Sequence, residues 1–590
     1  MMTGAARRRT GQRVGVQEPH LARLRGLTTR ADGSAPWLTP QGLLWGLMMA
    51  LLVVLVVLPL YHLVIESFKT ATGFTLTNYR QLLQLKRFHE ALLNSLILGL
   101  VCAVLSMLLG TPLAWLVSRT NVPCRGLLRV CVLGAFVTPG FVNALSWTLL
   151  AGPNAGLLNK LWMALTGASS GFINIFSMHG LVLVSLATVY PLAFLLMYNA
   201  FEMMDTDLED AARVLGAGRL RILVTVTLPL ARPALVAGFI MTFLEALILY
   251  GAPAFIGVPA RIYVVTTQLW SLFEYPPQIG LAAALSLPLL LITAGLLWMQ
   301  RHLLGQRSFA TIQGKGGRQQ RLDLGVWKWL AASGALLVVL LTFILPNGVL
   351  INASFLKQSF RGFAFDNLTL RNYGFVLFGY EAGMLSIRNS LVTSGLAATL
   401  AVPLTAVAAY LAERRIVRFG SLLAFLAMVP LVIPGMVFAV GLFAAYSSGP
   451  IILYGTLWIL VLAYLTKHLP FAFMSCRAAL SSVYLELESA ASLLGASRLR
   501  VLRDITAPLI KNGLLGGWIL VFTPSLKELS ASVLLYNSRT TVIPTAIMDA
   551  YLLPHWEAVA ALSVLLLAIN AVAIVAGYRL LGSHMLRQNS

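Results

Sequence analysis

The chain has 590 residues, of which 58% are hydrophobic and only 11% are charged, and its formal net charge is +22. Soluble globular domains carry about a quarter of their residues as charged side chains, so this composition excludes an ordinary soluble protein and indicates a chain that folds in lipid. The basic residues stand in short gaps between apolar runs and form no polar stripe, which excludes a nucleic-acid-binding protein and is typical of the cytoplasmic loops of a membrane protein.

Residues 1–36 are polar and basic, and we expect them to form a flexible cytoplasmic tail. The apolar run that follows is too long for a cleaved signal peptide. Apolar segments then recur that are each long enough to cross a bilayer as a helix, which satisfies its own backbone hydrogen bonds in lipid. They lie at about 41–66, 91–118, 127–151, 178–200, 232–256, 278–300, 328–354, 386–411, 420–446, 452–474, 511–536 and 556–580. The sequence therefore predicts an all-α membrane protein with about 12 transmembrane helices.

Lysine and arginine residues indicate how these helices are oriented. Every second gap between the apolar segments is basic, and these gaps are 119–129, 201–232, 301–328, 413–418 and 477–511. Because Lys and Arg accumulate in cytoplasmic loops, we expect these gaps and both chain termini to be cytoplasmic.

The chain repeats itself at an offset of 294 or 295 residues. The matching positions are Tyr79 and Tyr373, Asn94 and Asn389, and Pro139 and Pro434. Both halves contain about six helices and both begin on the cytoplasmic side, so the duplication is parallel and not inverted. Each proline of the last pair precedes a glycine, and we expect both sites to kink a helix.

The predicted organisation is a tail (1–36), a first half (37–300), a cytoplasmic linker (301–327) and a second half (328–590). Later in the halves the offset falls to 279, so the first half holds about sixteen extra residues. We place them in the non-cytoplasmic stretch 151–176, which has no counterpart of similar length in the second half.

A charged loop is the segment that matches best between the halves. Fourteen of 23 positions are identical between residues 208–230 and residues 487–509. Membrane helices can diverge while staying apolar, whereas a charged loop that keeps its spacing in both copies indicates a partner protein that docks twice. The alternative is an ordinary amphipathic connector at the membrane interface. The candidate docking residues are Glu209, Asp210, Ala211, Ala212, Gly216, Arg219, Arg221, Pro229, Glu488, Ala490, Ala491, Gly495, Arg498, Arg500 and Pro508.

The local chemistry of this loop predicts two helices and a turn. Residues 209–213 favour a helix and place acids at its N-terminal end, where the helix dipole stabilises them. Gly216 permits a turn with positive φ. From Arg219 we expect a second short helix that lies on the membrane surface, with Pro229 just before the next span.

This loop resembles the EAA loop of the permease subunits of bacterial ATP-binding-cassette (ABC) importers. The consensus of that loop is Glu-Ala-Ala, three further residues, Gly and a later Leu-Pro. In this chain the consensus glutamate position holds Asp210 in one copy and Ser489 in the other, while Glu209 and Glu488 stand one position earlier. The sequence therefore leaves open which residues make the contact of the consensus glutamate: Asp210 and Ser489, or Glu209 and Glu488.

The resemblance covers the chain from about residue 41. It implies a type I ABC importer permease (MetI-like) fold in each half, in a multi-pass protein of the bacterial plasma (inner) membrane. It also implies that the loops at about 202–231 and 475–510 are coupling helices, which fit grooves on two copies of a cytoplasmic ABC ATPase. A periplasmic or extracellular substrate-binding protein would deliver the substrate from the other side.

Several stretches resemble fused ferric-iron permeases, in which both halves form one chain. They lie at 138–159, 250–267, 308–316 and 525–535. This resemblance implies import of ferric iron by alternating access. Permeases for thiamine, phosphonate or polyamine share the architecture, and these substrates stay open as alternatives.

No nucleotide-binding motif accompanies the loops. Gly314-Lys315 has Phe309 where a P-loop needs its first glycine, and Gly316 where it needs Ser or Thr. ATP and Mg²⁺ are therefore expected on a separate ATPase, and we expect this chain to be a transporter subunit that binds no cofactor and catalyses no reaction. The four cysteines and eight histidines show no metal-ligand spacing.

Glu245, Lys527 and Glu528 lie within apolar runs, and charges inside a membrane are functional candidates. Lys527 and Glu528 are adjacent and cannot face each other on a helix. We expect these three residues, with Pro139 and Pro434, to line a translocation path between the halves. Local pairing or a local helix break is the simpler alternative.

Two further classes of protein stay open. An ion-coupled secondary transporter without an ATPase would need carboxylates at the midplane and no docking loop. A membrane scaffold that transports nothing would not require matched Pro-Gly pairs in both halves.

Overall fold

A computed structural model describes residues 39–70, 73–204, 207–304, 322–358, 365–414, 416–417, 419–552 and 556–587. The predicted tail at 1–36 and most of the predicted linker, with the stretch 308–316, lie outside the described residues.

The described residues fold almost entirely as helices. In the first half these are α1 Pro40–Phe68, α2 Thr77–Gln84, α3 Lys86–Arg119, α4 Arg125–Val137, α5 Gly140–Ala151, α6 Leu157–Thr166, α7 Met178–Met203, α8 Asp207–Val214, α9 Leu223–Ile248, α10 Val265–Ser271 and α11 Ile279–Leu304. In the second half they are α12 Trp327–Ser354, α13 Glu381–Glu413, α14 Gly420–Leu431, α15 Gly435–Tyr446, α16 Leu457–Ser481, α17 Leu485–Leu493, α18 Arg498–Leu526, α19 Ile543–Tyr551 and α20 Trp556–Arg587.

Short elements connect these helices. Single turns of helix lie at Arg219–Ile222, Pro253–Gly257, Phe365–Asn367, Arg371–Gly374, Phe375–Gly379 and Ser532–Leu535. The strands β1 Lys69–Thr70 and β2 Gly73–Phe74 pair antiparallel after α1, with Lys69 opposite Phe74. Helix α6 lies within the stretch 151–176, where we placed the extra residues of the first half.

Ten helices in the described part of the chain are long and apolar enough to span a bilayer, and two bent helix pairs pass the same test. The bent pairs are α4 with α5, at an angle of 102°, and α14 with α15, at 109°. The prediction of about twelve spans is confirmed if each bent pair crosses once. The third span of each half is thus a broken helix and not a kinked one, which corrects the sequence-based expectation.

Proline explains where these helices break. Pro139 and Pro434 have extended backbones, with ψ of 144° and 139°, and each caps the N-terminus of the helix that follows. A proline has no N–H to donate to the preceding turn, and its ring disfavours the helical conformation at the residue before it. The chain therefore leaves the first helix of each pair and starts a new helix at Gly140 or Gly435.

Two arginines show that each broken pair does cross. The Arg119 guanidinium, at the end of α3, donates to the carbonyl oxygen of Met204 after α7 (2.7 Å), so both helices end at one face. Arg414, after α13, likewise donates to Val483 after α16 (3.1 Å). Because α7 and α16 start at the opposite face, each broken pair must connect the two faces. We call the end that carries α8 and α17 the loop face.

The two halves exchange their first helices. Helix α1 packs against α14 and α15 of the second half, and α12 packs against α4 and α5 of the first half. The Trp45 indole N–H donates to the Phe419 carbonyl oxygen (3.3 Å), and the Tyr190 hydroxyl lies 2.9 Å from the Thr342 hydroxyl. One hydrophobic core therefore extends across both halves.

Candidate functional site

Helices α8 and α17 end in the same glycine turn. Gly216 follows α8 with a φ of +82°, and Gly495 follows α17 with a φ of +84°. The N–H of Ala217 bonds to the carbonyl oxygen of Ala212 (3.0 Å), five residues back, as in a Schellman motif. No atom lies within 4 Å of the place where a Cβ would stand on either glycine, so the backbone conformation alone requires glycine here.

The segment after each glycine differs from the prediction. The turn Arg219–Ile222 runs directly into Leu223–Ile248, and Arg498–Leu526 is one continuous helix. The expected separate surface helix is therefore wrong: it is the first part of the next span. A single π-helical turn, Leu223–Thr227, precedes Pro229 and shifts the hydrogen bonding, which lets the helix pass a proline without ending.

Glu209 and Glu488 point inward from the two short helices. Thr227 donates its hydroxyl hydrogen to Glu209 Oε1 (2.7 Å), and Thr506 donates to Glu488 Oε1 (3.1 Å). Each acid thus ties a short helix to the beginning of the following span. The two threonines belong to the identical positions of the repeat, although their role could not be seen without the fold.

The residues at the consensus acid position face outward instead. Asp210 forms a surface ion pair with Arg213 (2.6 Å), one helical turn away. The Ser489 hydroxyl donates to the carbonyl oxygen of Leu485 in its own helix (3.0 Å). The structure therefore gives different tasks to the two positions: the earlier acid holds the loop, and the consensus position is available at the surface.

Two arginines that the sequence analysis did not single out complete this arrangement. Arg414 donates to Glu488 Oε1 from both Nη2 (2.8 Å) and Nε (3.1 Å), and its side chain is only 8% exposed. In the first half, Arg119 lines one small crevice together with Glu209 and Thr227. Arg119 and Arg414 are 295 residues apart, so the repeat offset was the signal that could have found them. We call Arg119, Glu209 and Thr227 the first cluster, and Arg414, Glu488 and Thr506 the second cluster.

The remaining candidate docking residues lie at the loop face. Those with exposed side chains are Ala211, Arg221, Pro229, Ala490, Arg498, Arg500 and Pro508, while Ala212 and Ala491 are half-buried. Arg219 starts the turn that leads into α9. Beside them, Leu215 and Leu494 are about nine-tenths exposed, at 87% and 90%. A large apolar side chain exposed in both copies is typical of a surface that a partner covers.

Lys527 and Glu528 have separate partners, as expected of adjacent residues that cannot face each other. Glu528 pairs with Lys467 (2.6 Å) and also accepts from the N–H of Ala531 (3.0 Å). Lys527 turns the other way and donates to the carbonyl oxygens of Phe136 (3.0 Å) and Val137 (3.4 Å), at the end of α4. Helix α18 ends at Leu526, as the alternative of a local helix break predicted, whereas the partners of Lys527 and Glu528 lie on other helices and the alternative of local pairing is wrong.

Glu245 of the first half belongs to the same region. The charges of Lys467, Lys527 and Glu528 act on its carboxyl group. Its side chain is exposed, and an ionisable side chain within a membrane span is a functional candidate. The three predicted path charges therefore lie together between the halves, and Lys467 joins them.

Among the described residues, charged side chains pack against the glycine at the helix break of the second half but not against the glycine at the helix break of the first half. A Cβ on Gly435 would stand 2.5 Å from Lys467 Nζ and 3.4 Å from Glu528 Oε1. A Cβ on Gly140 would stand 3.2 Å from Thr188 Cγ2 and 3.5 Å from a methyl group of Leu249. The same two positions around the break thus hold an ion pair in the second half and uncharged side chains in the first half.

No group of three or more His, Cys, Asp or Glu residues that could hold a metal ion occurs within the described ranges. Cys102, Cys131 and Cys476 are buried and Cys124 is exposed, and all four are free thiols.

Comparison with known proteins identifies similar chains. A family model described as the binding-protein-dependent transport system inner membrane component matches residues 106–307 and 401–583. The ferric transport system permease protein FbpB of Actinobacillus pleuropneumoniae is 26% identical over 468 residues, which cover 77% of this chain and 66% of that protein. A putative ferric transport system permease protein, FbpB 1 of Haemophilus influenzae, is 25% identical over 495 residues, which cover 82% of this chain and 76% of that protein.

A shorter relative has a higher identity over a smaller part of the chain. The putative 2-aminoethylphosphonate transport system permease protein PhnV of Salmonella paratyphi A is 31% identical over 257 residues. The match covers 42% of this chain and 95% of that protein.

Proposed function

The chain belongs to the family of binding-protein-dependent transport system inner membrane components, and we propose that it is the permease subunit of an ATP-driven importer of ferric iron. The observation that carries the proposal is the pair of matched loops, α8 and α17, each tied to the next span through an acid that points inward. A single chain with two such loops offers two docking sites, so the partner is an ABC ATPase in two copies that carries the ATP and Mg²⁺.

The clusters provide a mechanical link from the loops to the spans. When the ATPase subunits close on ATP, α8 and α17 move with them. Glu209 carries this movement to the start of α9 through Thr227, and Glu488 carries it to α18 through Thr506. Arg414 connects the second loop to α13 and to the end of α16. The ends of three spans therefore move together with one loop, which is what alternating access requires.

The loop face is accordingly the cytoplasmic face of a bacterial inner membrane, with both termini on that side. A soluble substrate-binding protein delivers its cargo at the opposite face. The chain itself binds no cofactor and catalyses no covalent step. Family membership argues against a secondary transporter, since the family is named for dependence on a binding protein.

Ferric iron is the substrate we favour because two similar permeases that align over most of this chain are named for ferric transport. The phosphonate-related permease keeps a small organic substrate as the second candidate. Thiamine and polyamines are the other members of that alternative.

Purification and uptake test the assembly and the substrate together. We expect the chain, extracted from its native membrane, to copurify with an ABC ATPase at about two copies per chain, because two docking loops are present. Cells that contain the intact system should accumulate radioactive iron supplied as a ferric chelate. An excess of thiamine, 2-aminoethylphosphonate or spermidine should leave that uptake unchanged. Recovery of an active transporter without an ATPase would overturn the class, and competition by one of the organic compounds would overturn the substrate.

Neutralising the central carboxylates tests the translocation path. We expect the double variant Glu245→Gln/Glu528→Gln to lose at least about tenfold in uptake and in substrate-stimulated ATPase activity. It leaves Lys467 without its buried partner, at a cost of about 3–5 kcal/mol, and removes the exposed acid between the halves. Both activities are measured in proteoliposomes with equal amounts of permease. Glu66→Gln, which removes a surface pair with Lys69 (3.4 Å), is the matched control and should behave as wild type. Unchanged transport in the double variant would remove these charges from the path.

A further inference from the structure

A tyrosine and an aspartate lie hydrogen-bonded at the end of the molecule opposite the loop face. The Tyr536 hydroxyl donates to Asp549 Oδ1 (2.7 Å), and both side chains are half-buried. Tyr536 follows the single turn Ser532–Leu535, and Asp549 lies on α19. Neither residue takes part in the clusters or in the central charges described above.

Two more phenol groups surround this pair. The side-chain amide of Asn537 donates to the carbonyl oxygen of Gly455 (3.3 Å), which brings Tyr454 beside Tyr536. Tyr380 caps the start of α13, and α13 packs against α19. The charge of Asp549 acts on Tyr380, and both Tyr380 and Tyr454 act electrostatically on Tyr536. Three phenol oxygens and one carboxylate therefore share one region.

This region lies where the two halves meet. The Tyr250 hydroxyl of the first half contacts Met548 Sδ (3.6 Å), next to Asp549, and the Tyr551 hydroxyl donates to the carbonyl oxygen of Phe255 (3.4 Å). Helix α19 is thus packed directly on the first half. Because α13 and α16 both end at the loop face, their N-terminal ends, with Tyr380 and Tyr454, are at the opposite face.

The first half has no such group at the matching positions. These positions hold Leu85, Ile175, Val258 and Ser271, where the second half holds Tyr380, Tyr454, Tyr536 and Asp549. Matching hydrogen bonds support the alignment: Ile175 N–H donates to Ala151 as Tyr454 N–H donates to Tyr446. After the helix turn the offset is 278, since Val264 N–H donates to the Thr267 hydroxyl as Val542 N–H donates to the Thr545 hydroxyl. The fold does not require phenols and a carboxylate at these positions, because the first half adopts the same fold without them.

Phenolate and carboxylate oxygens are hard donors, and hard, highly charged cations bind such oxygen ligands. A tyrosine oxygen is an established ligand of protein-bound iron. Without a cation, the Tyr536 phenol keeps its proton and donates a hydrogen bond to the Asp549 carboxylate. A cation that binds both oxygens displaces this proton to water, and the proton returns when the cation leaves.

We propose that Tyr536 and Asp549, flanked by Tyr380 and Tyr454, form a transit site that receives ferric iron at the mouth between the halves. The proposal rests on the proposed import of iron and adds the first residues that the cargo meets on this chain. The affinity of the site for ferric iron is low, because the metal has to displace the proton of the phenol.

Ferric binding to the purified permease–ATPase complex tests the site, with ferric nitrilotriacetate as the probe. We expect wild type to develop a visible phenolate-to-iron charge-transfer band. Tyr536→Phe should lose this band, and both Tyr536→Phe and Asp549→Asn should bind ferric iron at least about tenfold more weakly. The same variants should raise the KM for iron uptake. Tyr373→Phe is the matched control, because its hydroxyl lies 2.7 Å from a serine hydroxyl, Ser354, at the same face and in the same half.

The outcomes separate this proposal from the one on which it rests. If all variants show the same band, affinity and KM as wild type, the iron binds adventitiously and the transit site is wrong, while iron import stands. If wild type transports no iron, the substrate assignment fails first. If Tyr373→Phe loses the band as well, binding is a general property of surface phenols and the site is again wrong.

Discussion

Replacing Gly216 and Gly495 together by valine is expected to abolish uptake while the chain still reaches the membrane and its ATPase partner still hydrolyses ATP. Both glycines have a φ above +80°, a region that is a genuine outlier for a β-branched residue. The left-handed conformation costs about 1–2 kcal/mol per residue even without branching. Since no atom lies within 4 Å of either position, the cost falls on the backbone turn and not on packing. The short helices then point away from their docking geometry, and closure of the ATPase no longer moves the spans.

Uptake and ATP hydrolysis are measured side by side in proteoliposomes. Two controls separate backbone conformation from side-chain bulk. Gly218→Val adds the same side chain two residues later, where space is equally open and φ is not positive, and it should leave uptake unchanged. The pair Gly216→Asn/Gly495→Asn adds similar bulk, but asparagine tolerates the left-handed region, so it should recover much of the uptake. Normal uptake in the double valine variant would remove the coupling assignment from these loops.

Removing Arg414 is expected to destabilise the chain more than any surface substitution. Arg414 makes two hydrogen bonds to Glu488 in a site where both side chains are about one-tenth exposed, at 8% and 11%. Taking away one partner of a buried pair costs about 3–5 kcal/mol, because the other charge stays buried without compensation. Thermal unfolding of the detergent-solubilised chain should therefore show a clearly lower midpoint for Arg414→Ala.

Two comparisons make this prediction specific. Arg213→Ala breaks the exposed pair with Asp210 and should cost at most about 0.5 kcal/mol. The double variant Arg414→Ala/Glu488→Ala should lose less than the sum of the two single variants, since it no longer leaves an unpaired buried charge. Equal midpoints for Arg414→Ala and Arg213→Ala would show that the second cluster does not hold the loop.

The repeat offset carries more information about the site than the motif itself. The motif directs attention to the short helices, and it is silent on Arg119 and Arg414, which stand some 70 to 90 residues earlier. The hydrogen bond between Arg414 and Glu488 joins positions 74 residues apart. Local preferences act between neighbours, so no pattern within the loop could indicate this partner. The available signal was that Arg119 and Arg414 are separated by the repeat offset. To find it, the ends of the helices have to be compared between the halves, as well as the loops.

The sequence by itself determined the properties that depend on composition and local spacing. Long apolar runs must form helices in lipid, because a single segment can satisfy all its backbone hydrogen bonds there only as a helix. The duplicated loop predicted two helix–glycine turns, which the structure contains. Proline located both helix breaks, since it cannot donate to the preceding turn.

Only the tertiary structure decided how far each break bends, which helices exchange between the halves and which charges meet. The break angles of 102° and 109°, the crossing of α1 and α12 to the opposite halves, and the pairing of Lys467 with Glu528 follow from close packing of the whole bundle. The same holds for Tyr536 and Asp549, which lie on separate elements and meet only because α19 packs at the boundary between the halves. Side chains far apart in sequence acquire partners only when the fold brings their elements together, and that step depends on shape complementarity that no local pattern encodes.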